Sequence, residues 1–228
     1  MSFKLSIIIP VYNEWQTIRE LLDKLLALNL EKEIIVVDDG SSDGTSEILA
    51  SISYPLVRVF RHPKNRGKGA AIRTGLAYCT GDIIILQDAD MEQVPEEIHK
   101  LIKPIINGKA QVVYGSRLMG KRPEMTFSAY LANVFLSGLT SLLYWTRISD
   151  VETAYKAFKK EVIQSIPIQS NGFEFETEIT AKILKKGIPI QEIPVKMDWF
   201  RGYNNNTKKV TWVDGVKAIL ALIQYRFR

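Results

Sequence analysis

The chain has 228 residues, 46% hydrophobic and 24% charged, enough for one large domain or two small ones and unlike disordered, collagenous or coiled-coil sequences. One cysteine, Cys79, excludes an internal disulfide framework and fits a reducing compartment; with His62 and His99 it is too few for a Cys/His zinc site, so a metal would be held by oxygen ligands. The net charge of +5, from 30 basic and 25 acidic residues, suits a phosphorylated ligand or an anionic membrane surface. The basic residues are scattered among acids, which argues against nucleic-acid binding.

Leu5 to Val11 (LSIIIPV) is an isoleucine-rich run, followed by similar runs at Ile34–Val37, Leu56–Phe60, Ile83–Leu86 and Gln111–Tyr114. Continuous apolar runs predict strands buried on both faces, as in a parallel sheet. Between them, Ile18, Leu21, Leu22, Leu25 and Leu26 recur at helical spacing, Ala70 to Ala77 follows a glycine-rich turn, and Pro95-Glu96-Glu97 opens another helix. Strand and helix alternating in this way predict an α/β fold with a mostly parallel central sheet flanked by helices.

Beyond residue 118 the texture changes. Met125 to Thr146 is 22 residues without a charge. Helical patterns follow at Lys156–Ser165 and Glu174–Lys186, then a strand-like Ile188–Val195 and a last helix from Thr211 to about Phe227. With no linker or repeat, residues 1–228 read as one domain, with a nucleotide-type half at 1–118 and a half at 119–228 that completes the site. The start, Met1-Ser2-Phe3-Lys4, lacks the small-residue cleavage site of a signal peptide, so the expectation is a protein without a leader and without a C-terminal membrane anchor.

Polar residues gather where the strands end. The first run ends in Pro10-Val11-Tyr12-Asn13-Glu14, the second in Asp38-Asp39-Gly40-Ser41-Ser42-Asp43, the fourth in Asp88-Ala89-Asp90, the fifth in Gly115-Ser116-Arg117. Ligands of open α/β sheets bind beyond these strand ends. Asp43 and Ser42 read alone as helix caps. Asp88 and Asp90, with Glu92 after them, can point at one hard cation. Asn65-Arg66-Gly67-Lys68-Gly69 looks like a phosphate-binding turn, yet neither a Walker A pattern nor a Gly-x-Gly-x-x-Gly fingerprint is present, which disfavours P-loop NTPases and dehydrogenases.

IIIPVYNE, VVDDGSSDGT, NRGKGAA, DADME, YGSR and DVETAYKAFKK, in this order, resemble the inverting family-2 glycosyltransferases of GT-A (nucleotide-diphospho-sugar transferase) fold. The subgroup they resemble is that of the polyprenyl-phosphate sugar synthases, such as the dolichyl-phosphate mannose and glucose transferases, and the likeness runs from Leu5 to Phe227. The resemblance implies a nucleotide-sugar donor, UDP- or GDP-linked, whose pocket is lined by Pro10, Tyr12, Glu14, Asp39, Lys68, Asp88, Ala89, Asp90, Arg201 and Lys208. It implies Mg2+ or Mn2+ at Asp88, Asp90 and Glu92. Glu92 stands where mannose synthases usually have Gln, which leans toward the glucosyl branch. Arg117 would face the acceptor phosphate or the donor diphosphate, and Arg122 and Ser128 would join it at the acceptor phosphate. Asp150 opens the segment that the family writes Asp-x-x-x-Gly-Phe-Arg; here Ala154-Tyr155-Lys156 replaces Gly-Phe-Arg, so only the cation is kept. Arg117 and Asp150 are the catalytic candidates, Asp150 as a base or as a positioning group.

A metal-bridged diphosphate leaves readily, and a lipid phosphate is already anionic, so its attack needs positioning by cations more than a strong base. A hydroxyl acceptor, on a soluble sugar, glycan or protein, would need a base; that is the alternative reading. A nucleotidylyltransferase lacks support, since IIIPVYNE is not its glycine-rich basic signature. The Met125–Thr146 stretch is long enough to span a bilayer, yet its Thr, Ser and Asn content predicts an interface helix instead, flanked by Lys121, Arg122 and Arg147. A core or homodimer helix is the competing reading. These expectations place the protein in the cytoplasm, peripheral on the cytoplasmic face of a membrane.

Overall fold

The computed structural model describes residues 3–119, 125–198 and 212–227. Its seven strands are β1 (Leu5–Val11), β2 (Lys32–Asp38), β3 (Val57–Arg61), β4 (Ile83–Leu86), β5 (Val112–Ser116), β6 (Lys156–Lys159) and β7 (Ile190–Pro194). They form one sheet in the order β3-β2-β1-β4-β6-β5-β7. Every pairing is parallel except those of β6, which runs antiparallel to β4 and β5. This is the α/β architecture expected, with strands from both halves of the sequence in one sheet.

Side chains alternate across the strands, so β1 feeds two cores. Ile7 and Ile9 pack with α1 (Ile18–Ala27) and α4 (Ile98–Ile106) on one face. Ile8 packs on the other face with α3 (Lys68–Tyr78) and α7 (Phe175–Lys185). All three isoleucines are fully buried, and burying each stabilises by about 1.5–3 kcal/mol. Helix α2 (Thr45–Ala50) follows β2. Its N-cap is Gly44, with no side-chain cap, so neither Asp43 nor Ser42 caps it as expected; Asp43 instead closes the turn ahead of the helix by accepting the Thr45 amide at 3.0 Å.

Two sequence expectations are corrected. Lys156–Ser165 is not one helix: Lys156–Lys159 is strand β6 and only Lys160–Gln164 (α6) is helical. Lysine and glutamate favour helix locally, but Ala157 and Phe158 fill the two opposite cores and the strand bridges β4 and β5. β3 is not buried on both faces. It forms the sheet edge, with Val59 38% exposed.

The uncharged stretch forms α5 (Phe127–Tyr144), and the last helix is α8 (Trp212–Phe227). They pack on each other, and Tyr144 donates its hydroxyl to the Leu222 carbonyl at 2.8 Å. Of the residues that make α5 a poor bilayer span, Asn133, Ser137 and Thr140 are turned inward, whereas Ser128 and Gly138 stay exposed. Its outer face carries Phe127, Leu131, Val134 and Phe135, all exposed.

Candidate active site

The chain goes from β1 outward to β2 and β3, then returns to place β4 on the other side of β1. That switch opens a crevice beyond the carboxyl ends of β1 and β4. A cavity of about 200 Å³ lies there, lined by Pro10 of β1 with Tyr12 and Glu14 just beyond it, Asp39 just after β2, Lys68 at the start of α3, and Asp88, Ala89 and Asp90 in the loop after β4. Eight predicted donor residues thus meet in one place. Arg122, Arg201 and Lys208 lie outside the described residues, as does Lys121.

The acid loop is held tightly. The Asp88 amide donates to Gln93 Oε1 at 2.6 Å, and Asp90 Oδ1 accepts the Glu92 amide at 3.0 Å. Between them Met91 is buried with φ at 66°, a left-handed conformation that a bulky residue keeps only when its surroundings impose it. Burial and the mutual repulsion of Asp88, Asp90 and Glu92 raise the pKa of Asp90 and of Glu92. Glu14, desolvated and facing Asp90, is pushed up to about 8. Among the described residues, no three His, Cys, Asp or Glu side chains converge as a complete metal cage. The arrangement fits a cation that binds through one or two carboxylates and takes the rest of its shell from phosphate and water, the habit of Mg2+.

Lys68 Nζ lies 2.8 Å from Asp88 Oδ1 and 3.0 Å from Glu176 Oε1. These two carboxylates raise its pKa against the effect of burial. Lys156, the cation retained from the family segment, is fully buried and pairs with Glu176. It holds β6 to α7 and does not line the cavity.

The glycines of NRGKG serve packing. A Cβ on Gly67, whose φ is 98°, would stand 2.2 Å from the Asn171 carbonyl oxygen, and one on Gly69 2.4 Å from that of Ser170. The loop before α7 therefore lies directly on the turn before α3 and brings Gly172 and Phe173 to the cavity. Asp39 accepts the amides of Arg66 and Gly67 at 2.9 and 2.7 Å, and His62 Nδ1 lies 2.6 Å from its Oδ1. His62 also meets Thr74 Oγ1 at 2.9 Å. Asp39 thus braces the turn as well as lining the pocket, and His62, without a motif of its own, belongs to the site's frame.

Arg117 follows β5. Its Nε and Nη2 donate to Asp150 at 2.7 and 2.6 Å, and its amide at 2.8 Å. Asn133 Nδ2 of α5 donates to Asp150 Oδ1 at 2.6 Å. Asp150 is fully buried, and Arg117 with these hydrogen bonds holds it below the usual carboxylate range despite desolvation. A carboxylate so committed is a weak proton acceptor and a firm anchor. It takes one edge of the guanidinium fork and leaves the Nη1 edge for another oxyanion. Ser128 sits exposed in the first turn of α5, beside Thr126.

Sequence reasoning missed Gly172, Phe173, Glu176, Asp214 and Lys217. Asp214 and Lys217 come from α8 and line the same cavity as Tyr12 and Asp88. No local pattern marks them; only the packing of α8 on α7 and α5 brings them there.

Residues 6–166 match Glycosyl transferase family 2. The chain is 33% identical over 211 residues to a UDP-N-acetylglucosamine--dolichyl-phosphate N-acetylglucosaminyltransferase of Methanococcus voltae, covering 83% of this chain and 84% of that protein. It is 35% identical over 187 residues to a dolichol-phosphate mannosyltransferase of Pyrococcus furiosus, covering 78% of this chain and 53% of that one. The crystal structure of glucosyl-3-phosphoglycerate synthase from Mycobacterium tuberculosis, in complex with Mn2+, UDP and phosphoglyceric acid, superposes with a TM-score of 0.76 at 20% identity, over 98% of this chain and 78% of that one. The fold is therefore GT-A, as expected. The chain belongs to glycosyl transferase family 2 and is a glycosyltransferase.

Proposed function

We propose that the protein moves a hexose from a UDP- or GDP-linked sugar to a polyprenyl phosphate at a membrane surface. The observation that carries this is the Arg117–Asp150 pair. The obvious candidate base is saturated by a guanidinium, a backbone amide and Asn133. An acceptor that arrives already ionised suits such a site, whereas a hydroxyl would need its proton removed. Arg117 positions the acceptor phosphate through its open edge, and Asp150 fixes Arg117. The relatives named for dolichyl-phosphate acceptors support the same class.

The donor lies in the cavity between β1 and β4, its base and ribose toward Pro10, Tyr12 and Asp39, its diphosphate toward Asp88 and Asp90. Mg2+ or Mn2+, held by Asp88 and Asp90 with Glu92 beside them, would supply Lewis-acid stabilisation of the departing diphosphate. Lys68 holds Asp88 oriented before the donor arrives.

The membrane part of the proposal rests on α5 and α8. On α8, Trp212, Val213, Val216, Leu220, Ile223 and Phe227 are all exposed and fall within an arc of about 100° on a 3.6-residue helix. The outer face of α5 is apolar as well, and it is the one described helix long and apolar enough to cross a bilayer, with 22% of its residues buried. The lipid chain of the acceptor gives this joint face its occupant, the cytoplasmic leaflet, with Arg147 and Arg226 beside it for anionic headgroups.

The test is direct. Purified protein, Mn2+ and a panel of UDP- and GDP-hexoses are incubated with a polyprenyl phosphate or with soluble sugars, and products are separated by mass. A polyprenyl-phosphate-linked hexose is expected. Transfer confined to soluble hydroxyl acceptors overturns the reading.

A further inference from the structure

We propose that Lys217 of α8 binds the diphosphate of the nucleotide-sugar donor; the inference rests on the donor reading above. The described lining of the cavity carries the acids Asp39, Asp88, Asp90 and Asp214, with Glu14 held toward its neutral form, against the ammonium groups of Lys68 and Lys217. Lys68 is already committed, bridging Asp88 and Glu176. One divalent cation offsets two of the acids, and a diphosphate then adds at least two further negative charges to a partly desolvated site. Another cation has to meet it, because anionic oxygens brought out of water without a partner are costly.

Among the described lining residues, Lys217 is the cation placed to do so. Its ammonium has no ion-pair or hydrogen-bond partner among the described residues, and the residue is exposed at the cavity wall. Its four-carbon stem gives the reach and freedom that a point-charge contact to phosphate uses. Its place on α8 is also informative. Ala218, Ala221 and Leu222 form the packed side of the helix, and Trp212, Val216, Leu220 and Ile223 the opposite, apolar side. Lys217 stands between these two sides, turned to the cavity. A lysine that served only to meet lipid headgroups would border the apolar stripe without lining a pocket shared with Tyr12, Asp88 and Phe173.

The test compares a nucleoside diphosphate with its bare nucleoside. UDP and uridine, and GDP and guanosine, are titrated with Mn2+ against the full chain, against Lys217→Ala and against Lys217→Arg, with thermal melting to confirm that each variant is folded. For the pair that the wild type binds, Lys217→Ala is expected to weaken the diphosphate by about tenfold or more, the size of one charge-assisted hydrogen bond. The nucleoside should change by less than about twofold, and Lys217→Arg should recover most of the affinity because it keeps the charge. Equal weakening of nucleoside and diphosphate would make Lys217 a structural residue and overturn the inference. Unchanged diphosphate affinity with reduced binding to anionic vesicles would assign it to headgroups and overturn it as well. A wild type that binds neither UDP nor GDP would bring down the donor reading itself, and Lys217 with it.

Discussion

Asn133, in the middle of α5, donates to Asp150 Oδ1 at 2.6 Å, so the helix with the apolar outer face is tied to the carboxylate that holds Arg117. The surface proposed to meet lipid and the group proposed to meet the lipid's phosphate are therefore two contacts apart. Asn133→Leu should leave donor binding intact and lower acceptor turnover, because Arg117 keeps its charge but loses part of its orientation. Turnover at saturating donor against donor affinity separates the two effects. Equal loss of both would remove the link.

Asp150→Ala removes one partner of a buried ion pair and leaves Arg117 without its counter-charge. A loss of about 3–5 kcal/mol of stability is expected, read by chemical denaturation. The effect depends on pH in a fixed direction. Asp150 is held below its ordinary pKa, so its contribution is present above the ordinary aspartate range and is lost as pH falls through the lower folded-state value. The stability gap between wild type and variant should thus narrow on acidification, and a gap that widens would contradict the pairing.

Much of this site was legible in the sequence because it lies at strand ends. Isoleucine runs mark β1, β2 and β4, and a parallel sheet must align their carboxyl ends, so Pro10–Glu14, Asp39 and Asp88–Asp90 could be brought together without coordinates. β6 was not legible. Its four residues, KAFK, have no alternation to read, since Lys156 is buried by its ion pair with Glu176. The inward role of Asn133 and the arrival of Lys217 were hidden for a related reason: each depends on which side a whole helix packs, and that is decided by residues far away in the chain.

Gly67→Ala tests whether the turn before α3 is shaped by the loop that covers it. The φ of 98° and the 2.2 Å approach to the Asn171 carbonyl leave no room for a methyl group. Strain of about 1–3 kcal/mol is expected, together with weaker donor binding, because Asp39 braces the Gly67 amide. Gly108→Ala is the control, since it shares a positive φ and has open space around it. Equal donor affinity in the two variants would separate this turn from the donor pocket.

Asp90→Ala should abolish transfer, with Asp88→Ala nearly as severe, and chelation of the divalent cation should do the same to the wild type. Asp88→Ala also takes from Lys68 one of its two carboxylate partners, at 2.8 Å, and leaves it on Glu176 alone, so part of its effect should persist at high Mn2+. Turnover is measured across a Mn2+ titration at saturating donor. Near-normal turnover of Asp90→Ala at low Mn2+ would show that the cation is held elsewhere.

The membrane face gives the last prediction. Phe135 of α5 and Leu220 of α8 are 60% and 58% exposed and belong to the outer faces of helices that pack on each other. Replacing both with Asp places two charges where lipid contact is proposed and disturbs no packed core, whereas Leu136, its neighbour, faces inward and is unsuitable for such a test. The wild type should co-sediment with anionic vesicles at low salt and be released as salt rises, because headgroup attraction to basic side chains is screened over about 10 Å at 0.1 M. The double variant should bind vesicles weakly at any salt. It should retain UDP or GDP affinity, since the donor cavity opens between β1 and β4 and neither residue lines it. Transfer to a long-chain polyprenyl phosphate in vesicles should fall at least about tenfold, the cost of displacing a membrane-inserted apolar side chain. Transfer to a short-chain, water-soluble polyprenyl phosphate should survive. Loss of both transfers together would show that the substitutions damaged the site, and full activity on vesicles would show that the face serves another purpose.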